Sequence, residues 1–252
     1  MIGNYSIGLL QKSDVRSFIQ IIRKSFIPDY LILSIYRARG IENFISSEID
    51  NYFSPYRYFV VSENKRIVGC AEFKIIRDKN SFFLNIIAVD NEFKGRGIGK
   101  VILNYGIAYF LKRGFTKIQL DVYQDNKVAL RLYNSLGYKR LHIMSLYKFL
   151  LGSSDIEHNN FFLLNFPQYK DLKRRFGFSY LDLMIDENSI RLGVIENDLI
   201  FKGEYNLFQV MTAYFLFKKM NFKTLYLICE HDCTGKPDLI FINTIYRMEL
   251  NV

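Results

Sequence analysis

The sequence contains no tryptophan, four prolines and three cysteines in 252 residues, and these scarcities exclude whole classes of protein. Cys70, Cys229 and Cys233 are an odd number with no C-x-x-C pair, so neither a disulfide framework nor a redox dithiol motif is present, and a reducing, cytoplasmic setting is expected. With 50% hydrophobic and 23% charged residues, the chain is not disordered or fibrous. No run approaches the roughly 18 consecutive apolar residues of a membrane span, and MIGNYSIGLLQKSD has none of the basic start, apolar stretch and small-residue cleavage site of an export signal. No membrane partner is expected. No metal is expected either: Cys229-Glu230-His231-Asp232-Cys233 lacks a second ligand pair elsewhere, and His142 and His158 stand alone.

What is present is an uneven charge. Residues 1–150 carry 23 Lys/Arg against 12 Asp/Glu, while residues 151–252 carry 11 against 13, so the two parts face different partners. A basic surface without consecutive basic tracts suits a polyanionic small ligand as well as an RNA or an acidic protein. The change of sign coincides with the polar, turn-prone Gly152-Ser153-Ser154-Asp155. This predicts two domains, 1–151 and 156–252.

The pattern predicts a strand over 5–10, then a helix capped by Ser13-Asp14 with the apolar face Val15, Phe18, Ile22 and Phe26. A second helix is expected over 41–49. Strands over 58–63 and 67–76 flank the turn Asn64-Lys65-Arg66, and 82–89 adds a third run, giving an antiparallel meander. A helix opening at the glycines near 95–99 shows apolar positions Ile98, Val101, Ile102, Tyr105, Ala108 and Tyr109 and ends at Gly114. Then come a strand over 117–123, a helix capped by Asn126 and stopped by Gly137, and a closing strand over 139–149. The second part repeats a theme: Phe93-Lys94-Gly95 aligns with Phe201-Lys202-Gly203, and FTKIQLDVYQD (115–125) with FKTLYLICEHD (222–232). It reads either as a degenerate second copy or as an unrelated α+β module.

Two constellations carry chemistry. In Lys94-Gly95-Arg96-Gly97-Ile98-Gly99-Lys100, alternating glycines at a helix start let backbone N–H groups approach an anion, and the helix N-terminus, Lys94, Arg96 and Lys100 add positive charge. Diphosphate is the natural guest. The spacing matches neither a P-loop nor a dinucleotide fingerprint. Downstream, Asn126 and Tyr133 lie two helical turns apart on one side of a helix, with the small Ala129 between them leaving room for a ligand.

With these two motifs in place, residues 5–149 resemble the GCN5-related N-acetyltransferase (GNAT) superfamily. The pattern Arg/Gln-x-x-Gly-x-Gly/Ala falls on residues 94–99 with Lys94 as its one departure, where lysine keeps the charge but not arginine's planar fork. The pattern Asn-x-x-Ala-x-x-Leu-Tyr falls on Asn126, Ala129, Leu132 and Tyr133, followed by Gly137-Tyr138. The resemblance implies a mixed α+β fold with a central, mostly antiparallel twisted sheet flanked by helices, and a smaller C-terminal α+β domain. It implies acetyl-CoA as cosubstrate, held by the backbone of Ile87, Ala88 and Val89, by the loop Lys94, Gly95, Arg96, Gly97, Ile98, Gly99 and Lys100, and by Asn126 and Ala129. It places Tyr133 as the acid that protonates the departing thiolate. Phe83, Leu84 and Asn85, where some relatives carry a carboxylate, cannot act as a base. Asp121 is the expected base, with Glu72 as the alternative.

The expected function is direct acetyl transfer from acetyl-CoA to a primary amine of a small molecule or peptide. The second domain would shape the acceptor site, and acceptor contacts are expected within 26–58. Acetylation of a protein or an aminoacyl-tRNA is the alternative the basic charge permits, and an acyl-CoA-binding module without turnover is the non-enzymatic one.

Overall fold

The structure, a computed structural model, describes residues 5–76, 80–150, 161–185, 187–205, 207–231 and 233–251; the expected domain boundary at 152–155 and His158 lie outside them. In the first part, β1 (Tyr5–Leu9) is followed by α1 (Val15–Ser25) and α2 (Ile41–Asp50), with short 3-10 turns between. The meander β2 (Tyr56–Glu63), β3 (Arg66–Ile76) and β4 (Ser81–Val89) leads into α3 (Ile98–Leu111), β5 (Lys117–Tyr123), α4 (Lys127–Ser135) and β6 (Lys139–Phe149). Asn64 and Lys65 both take positive φ, 49° and 67°, as a two-residue hairpin loop requires. In the second part, β7 (Phe161–Leu163), α5 (Phe166–Phe176), β8 (Phe178–Ile185), β9 (Asn188–Ile195), β10 (Asp198–Lys202), α6 (Leu207–Lys219), β11 (Thr224–Cys229) and β12 (Leu239–Asn251) follow. None of the described helices is long and apolar enough to cross a membrane.

Two local expectations need correction. Asp14 occupies the N-cap position of α1, but no side-chain cap forms, because residues 12–14 are already wound into a 3-10 turn that leads into the helix. The buried face of α3 is Ile98, Ile102, Leu103, Gly106 and Phe110, whereas Tyr105 is exposed. Gly106 fixes that face, since a Cβ there would stand 2.5 Å from the Phe73 ring, so the aromatic packs where a side chain would have been.

All twelve strands form one sheet, in the order β1-β2-β3-β4-β5-β12-β6-β11-β10-β9-β8-β7. The two parts use one plan. In the first, β1 to β4 pair antiparallel, β4 and β5 pair parallel, and β12 closes antiparallel on β5. In the second, β7 to β10 pair antiparallel, β10 and β11 pair parallel, and β6 closes antiparallel on β11. Each part therefore closes its sheet with a strand from the other, and β6 and β12 pair at the centre from Leu239↔Phe149 to Glu249↔Lys139.

Matching the halves on their parallel pairs revises the alignment read from sequence. The strand match of 115–125 with 222–232 fits the shared position of β5 and β11, but Phe201 pairs with Leu227 as Leu84 pairs with Leu120. Phe201 and Lys202 thus correspond to Leu84 and Asn85, and Gly203 is not a remnant of the glycine loop. That loop has no counterpart among the described residues, where only positions 203–206 separate β10 from α6.

Separate cores underlie the two parts. Phe59, Phe73, Phe82, Phe110 and Leu120 centre one, between the sheet and α3; Leu181, Leu192, Leu199, Ala213 and Leu227 centre the other, against α6. Each fully buried Leu, Ile or Phe contributes about 1.5–3 kcal/mol through loss of apolar surface from water. Where the parts meet, the segment 35–40 is clamped by the second. Arg37 pairs with Asp198 at 2.8 Å, the Arg39 N–H donates to Glu196 Oε1 at 2.6 Å, and the Gly40 N–H donates to the Phe176 carbonyl at 3.1 Å. Gly40 is required by proximity, since a Cβ would lie 2.4 Å from the Arg175 carbonyl oxygen.

Candidate active site

The site begins where two strands part. β4 and β5 pair only from Ser81↔Lys117 to Leu84↔Leu120, and beyond that the edge of β4 that faced β5 has no strand partner. A bulge starts the divergence: Phe73 pairs with Leu84 and Glu72 with Ile86, which leaves Asn85 as the extra residue on β4. Such a bulge re-aims side chains, and Asn85 turns toward Glu72. On the other edge β4 continues through Ala71↔Ile87, Cys70↔Ala88 and Gly69↔Val89. The Val89 carbonyl accepts a hydrogen bond from Ser25 Oγ at 2.9 Å.

At the end of β4, Asp90 caps a 3-10 turn, accepting from the Glu92 N–H at 3.2 Å, and the glycine loop follows. Gly95 and Gly97 both take φ of 78°, and a Cβ at either would meet nothing within 4 Å, so the loop faces open space. Gly97 is the N-cap of α3 and supplies no side-chain cap, which leaves the first-turn N–H groups free of a capping side chain. Gly99 is different: its φ is ordinary and a Cβ would make normal contacts with Leu132 and Val89. Lys94, Arg96 and Lys100 are exposed. Arg96 lies over the Phe93 ring, 4.7 Å from its centroid, and Lys94 Nζ reaches the Ser25 carbonyl at 3.4 Å. These donors and cations around an open loop fit a diphosphate.

α4 borders the same loop, because Leu132 Cδ2 stands 3.7 Å from a Cβ built on Gly99. Asn126 caps α4 by accepting from the Ala129 N–H at 3.2 Å, as the spacing predicts. Tyr133 is 5% exposed and packs against Tyr138, ring centroids 5.6 Å apart. Burial alone pushes its phenol well above the usual range, which favours the protonated form an acid needs.

The two carboxylates named from sequence line one cavity of about 380 Å³ beside the divergence. Its walls include Tyr30, Leu33 to Tyr36, Tyr56, Glu72, Lys74, Phe83, Asn85 and Asp121 to Tyr123, together with Met144, Lys202, Ile228 and Ile245. Tyr133, Asn126 and Ala129 are not among them. Asp121 is a third exposed and is gripped by Arg247 of β12, whose Nε donates to Oδ1 and whose Nη2 donates to Oδ2 at 2.8 Å. Glu72 is 1% exposed, and its carboxylate accepts from the Tyr36 hydroxyl and the Asn85 amide. Burial raises its pKa above the ordinary carboxylate range, partly offset by those two donors. Tyr36 and Arg247 were not singled out from sequence, and Asn85 was named there only as unable to act as a base. A signal for Glu72 was present in RIVGCAEFKII: one carboxylate inside an apolar strand run demands a partner or a task.

Elsewhere, Cys229 and Cys233 are buried with sulfurs 3.1 Å apart, while the His231 side chain is exposed and faces Glu204 at 4.0 Å. No group of three or more metal-binding side chains occurs among the described residues.

Residues 18–138 match the model of the acetyltransferase (GNAT) family. This segment is a GNAT acetyltransferase domain. A mycothiol acetyltransferase of Thermomonospora curvata is 28% identical over 111 residues, 44% of this chain and 37% of the relative. An uncharacterized N-acetyltransferase of Methanocaldococcus jannaschii is 27% identical over 151 residues, 57% of this chain and 65% of the relative. The matched segments thus span less than two thirds of these relatives. Among solved structures, a GCN5-related N-acetyltransferase of Sphaerobacter thermophilus covers 98% of this chain and 95% of its own at TM-score 0.66 and 10% identity. A Pyrococcus horikoshii protein assigned as an acetyltransferase covers 98% and 89% at TM-score 0.68 and 12% identity. At these identities the likeness is one of fold. It extends over both halves of the chain.

Proposed function

We propose that the chain is an acetyl-CoA-dependent N-acetyltransferase acting on a primary amine of a small molecule or peptide. The observation that carries this reading is the divergence of β4 from β5, which has an open, uncapped glycine loop on one side and a cavity holding two carboxylates on the other. Bound acetyl-CoA supplies the activated acetyl group. The backbone of 87–89, the loop residues Lys94 to Lys100, and Asn126 and Ala129 hold it, with first-turn N–H groups of α3 and the three cations meeting the diphosphate. The buried phenol of Tyr133 keeps its proton at neutral pH and gives it to the leaving thiolate.

On this reading the chain comprises units 1–151 and 156–252, each lending a strand to the other, and works in a reducing cytosolic compartment suited to three buried cysteines. The second unit shapes the acceptor side through Lys202 and Ile228 and through its grip on the segment that carries Tyr36. The excess positive charge of residues 1–150 favours one further reading, a macromolecular acceptor such as a protein N-terminus or an aminoacyl-tRNA. Activity falling steeply with salt would mark RNA.

Calorimetry with acetyl-CoA, together with an acceptor screen of amines, peptides and charged tRNAs read by release of free CoA, tests the proposal. Binding with amine-dependent CoA release is expected. Binding without turnover for any amine would leave only an acyl-CoA-binding module.

A further inference from the structure

We infer that Glu72, at the floor of the cavity and held by Tyr36 and Asn85, takes the acceptor's proton, and that Asp121 instead anchors β12 through Arg247. This rests on the acetyltransferase reading above and names its base.

The two carboxylates are held by different chemistry. Both Asp121 oxygens accept from the guanidinium fork of Arg247, which commits this carboxylate to a charge-assisted, bidentate pair. The Arg247 side chain also lies over the Phe83 ring, 5.0 Å from its centroid. That arrangement ties β12 to β5 and β4, a structural task for a strand drawn from the far end of the sequence. Glu72 has no ion-pair partner among the described residues. Its two oxygens accept from a phenol and an amide, neutral donors that hold the carboxylate in place and favour its charge less than a guanidinium does.

The surroundings complete the argument. Lys74 lies on the same strand, Tyr56 and Tyr58 on β2 and Glu48 on α2, and the Tyr36 phenol itself is pushed upward by burial and by Glu72. Desolvation and Glu48 raise the Glu72 pKa while Tyr36, Asn85 and Lys74 lower it, which moves a carboxylate toward neutral pH, where a base for an ammonium group is most effective. The bulge gives this geometry a cause. Without the extra residue, Asn85 would continue the β3–β4 ladder rather than turn to Glu72.

The proton count closes as follows. The acceptor ammonium gives one proton to Glu72, and the freed amine nitrogen bonds to the acetyl carbon as the carbon–sulfur bond breaks. The thiolate takes the Tyr133 proton. The new amide nitrogen loses its second proton to the Tyr133 phenolate, and Glu72 passes its proton to solvent, so one proton leaves per turnover.

The test is the pH profile of kcat/KM for the full chain and its variants, with the best amine from the acceptor screen. The wild type should lose activity as pH falls through the Glu72 pKa. Glu72→Gln should lower kcat by about 10² and abolish that limb while acetyl-CoA affinity is unchanged. Tyr36→Phe removes a donor that stabilises the carboxylate, so the limb should move to higher pH; this variant decides the question if Glu72→Gln does not fold. An active wild type with Glu72→Gln within about threefold of it and an unmoved limb, or a limb lost in Asp121→Asn and kept in Glu72→Gln, overturns the assignment. A wild type inactive toward every amine defeats the transferase reading, and the assignment with it.

Discussion

The two halves of the sheet differ most clearly in their parallel strand pairs, and the candidate site lies beside the pair that parts. Both contain a parallel strand pair that follows an antiparallel meander. In the second half, β10 pairs with β11 along its whole length, Asp198–Lys202, and α6 starts within a few residues. In the first, β4 pairs with β5 over four residues, bulges at Asn85 and continues to Val89 paired only with β3 before the glycine loop. The zipped pair buries itself; the splayed pair exposes a strand edge, a helix N-terminus and a cavity. Tyr205, just beyond β10, hydrogen-bonds Asp238 at 3.0 Å on a side where the first half keeps an open loop. One plan therefore serves twice, once zipped and once splayed beside the candidate site, and the distinction rests on residues 85–89 and a loop.

The severest way to break this comparison is to cut the chain before β12. Removal of residues 239–252 should unfold both halves, because the strand lies between β5 and β6, and its loss should exceed a typical domain stability of about 5–15 kcal/mol. A cooperative thermal melt from the truncated chain would show that the halves close independently.

Tyr133→Phe comes next, in a helix with no counterpart among the described residues of the second half. Turnover should fall by about 10² with acetyl-CoA affinity retained, since the ring packing survives. Equal turnover would reduce Tyr133 to a core aromatic.

Gly40→Ala probes the junction. Its Cβ would overlap the backbone of Arg175 and Phe176, and a cost of about 1–3 kcal/mol is expected in chemical denaturation, accompanied by a higher KM for the amine, because the segment that carries Tyr36 must shift. An unchanged midpoint would mean that the halves separate easily there.

The gentlest test is also the most direct for the asymmetry. Gly97→Glu introduces a side chain at positive φ and a negative charge at the uncapped start of α3, so acetyl-CoA affinity should weaken at least tenfold, about 1.4 kcal/mol. Titration of the wild type should give one cosubstrate per chain. Two equivalent sites would contradict the zipped second half.

The legibility of these features follows from their range. The first half could be read because its signals are local: Asn126 caps and Gly137 stops α4, Asn64-Lys65 turns a hairpin, and alternating glycines open α3. The strand exchange could not be read, since Arg247 and Asp121 lie 126 residues apart and nothing near β12 specifies its neighbours. The loop alignment at Gly203 failed because Phe-Lys-Gly recurs in a strand and in a turn, and only pairing register separates the two. The site divided in the same way. The glycine loop and Asn126 to Tyr133 are contiguous motifs, whereas the contact of Glu72 with Tyr36 and Asn85 joins three elements through a bulge that no residue pattern announces.

The central position of β12 also sets an order of events during synthesis. When β5 leaves the ribosome, the strand that will cover its open edge is still more than a hundred residues from being made. The nascent first half must wait with that edge bare, exposed to pairing with other chains. Such long-range closure is intrinsically slow. The wait ends only when residues 239–251 arrive between β5 and β6, so one late strand joins both halves of the sheet. A chain interrupted before that point leaves Asp121 without Arg247 and β6 without its central neighbour. Folding of the first half thus certifies that translation has reached the last strand of the second.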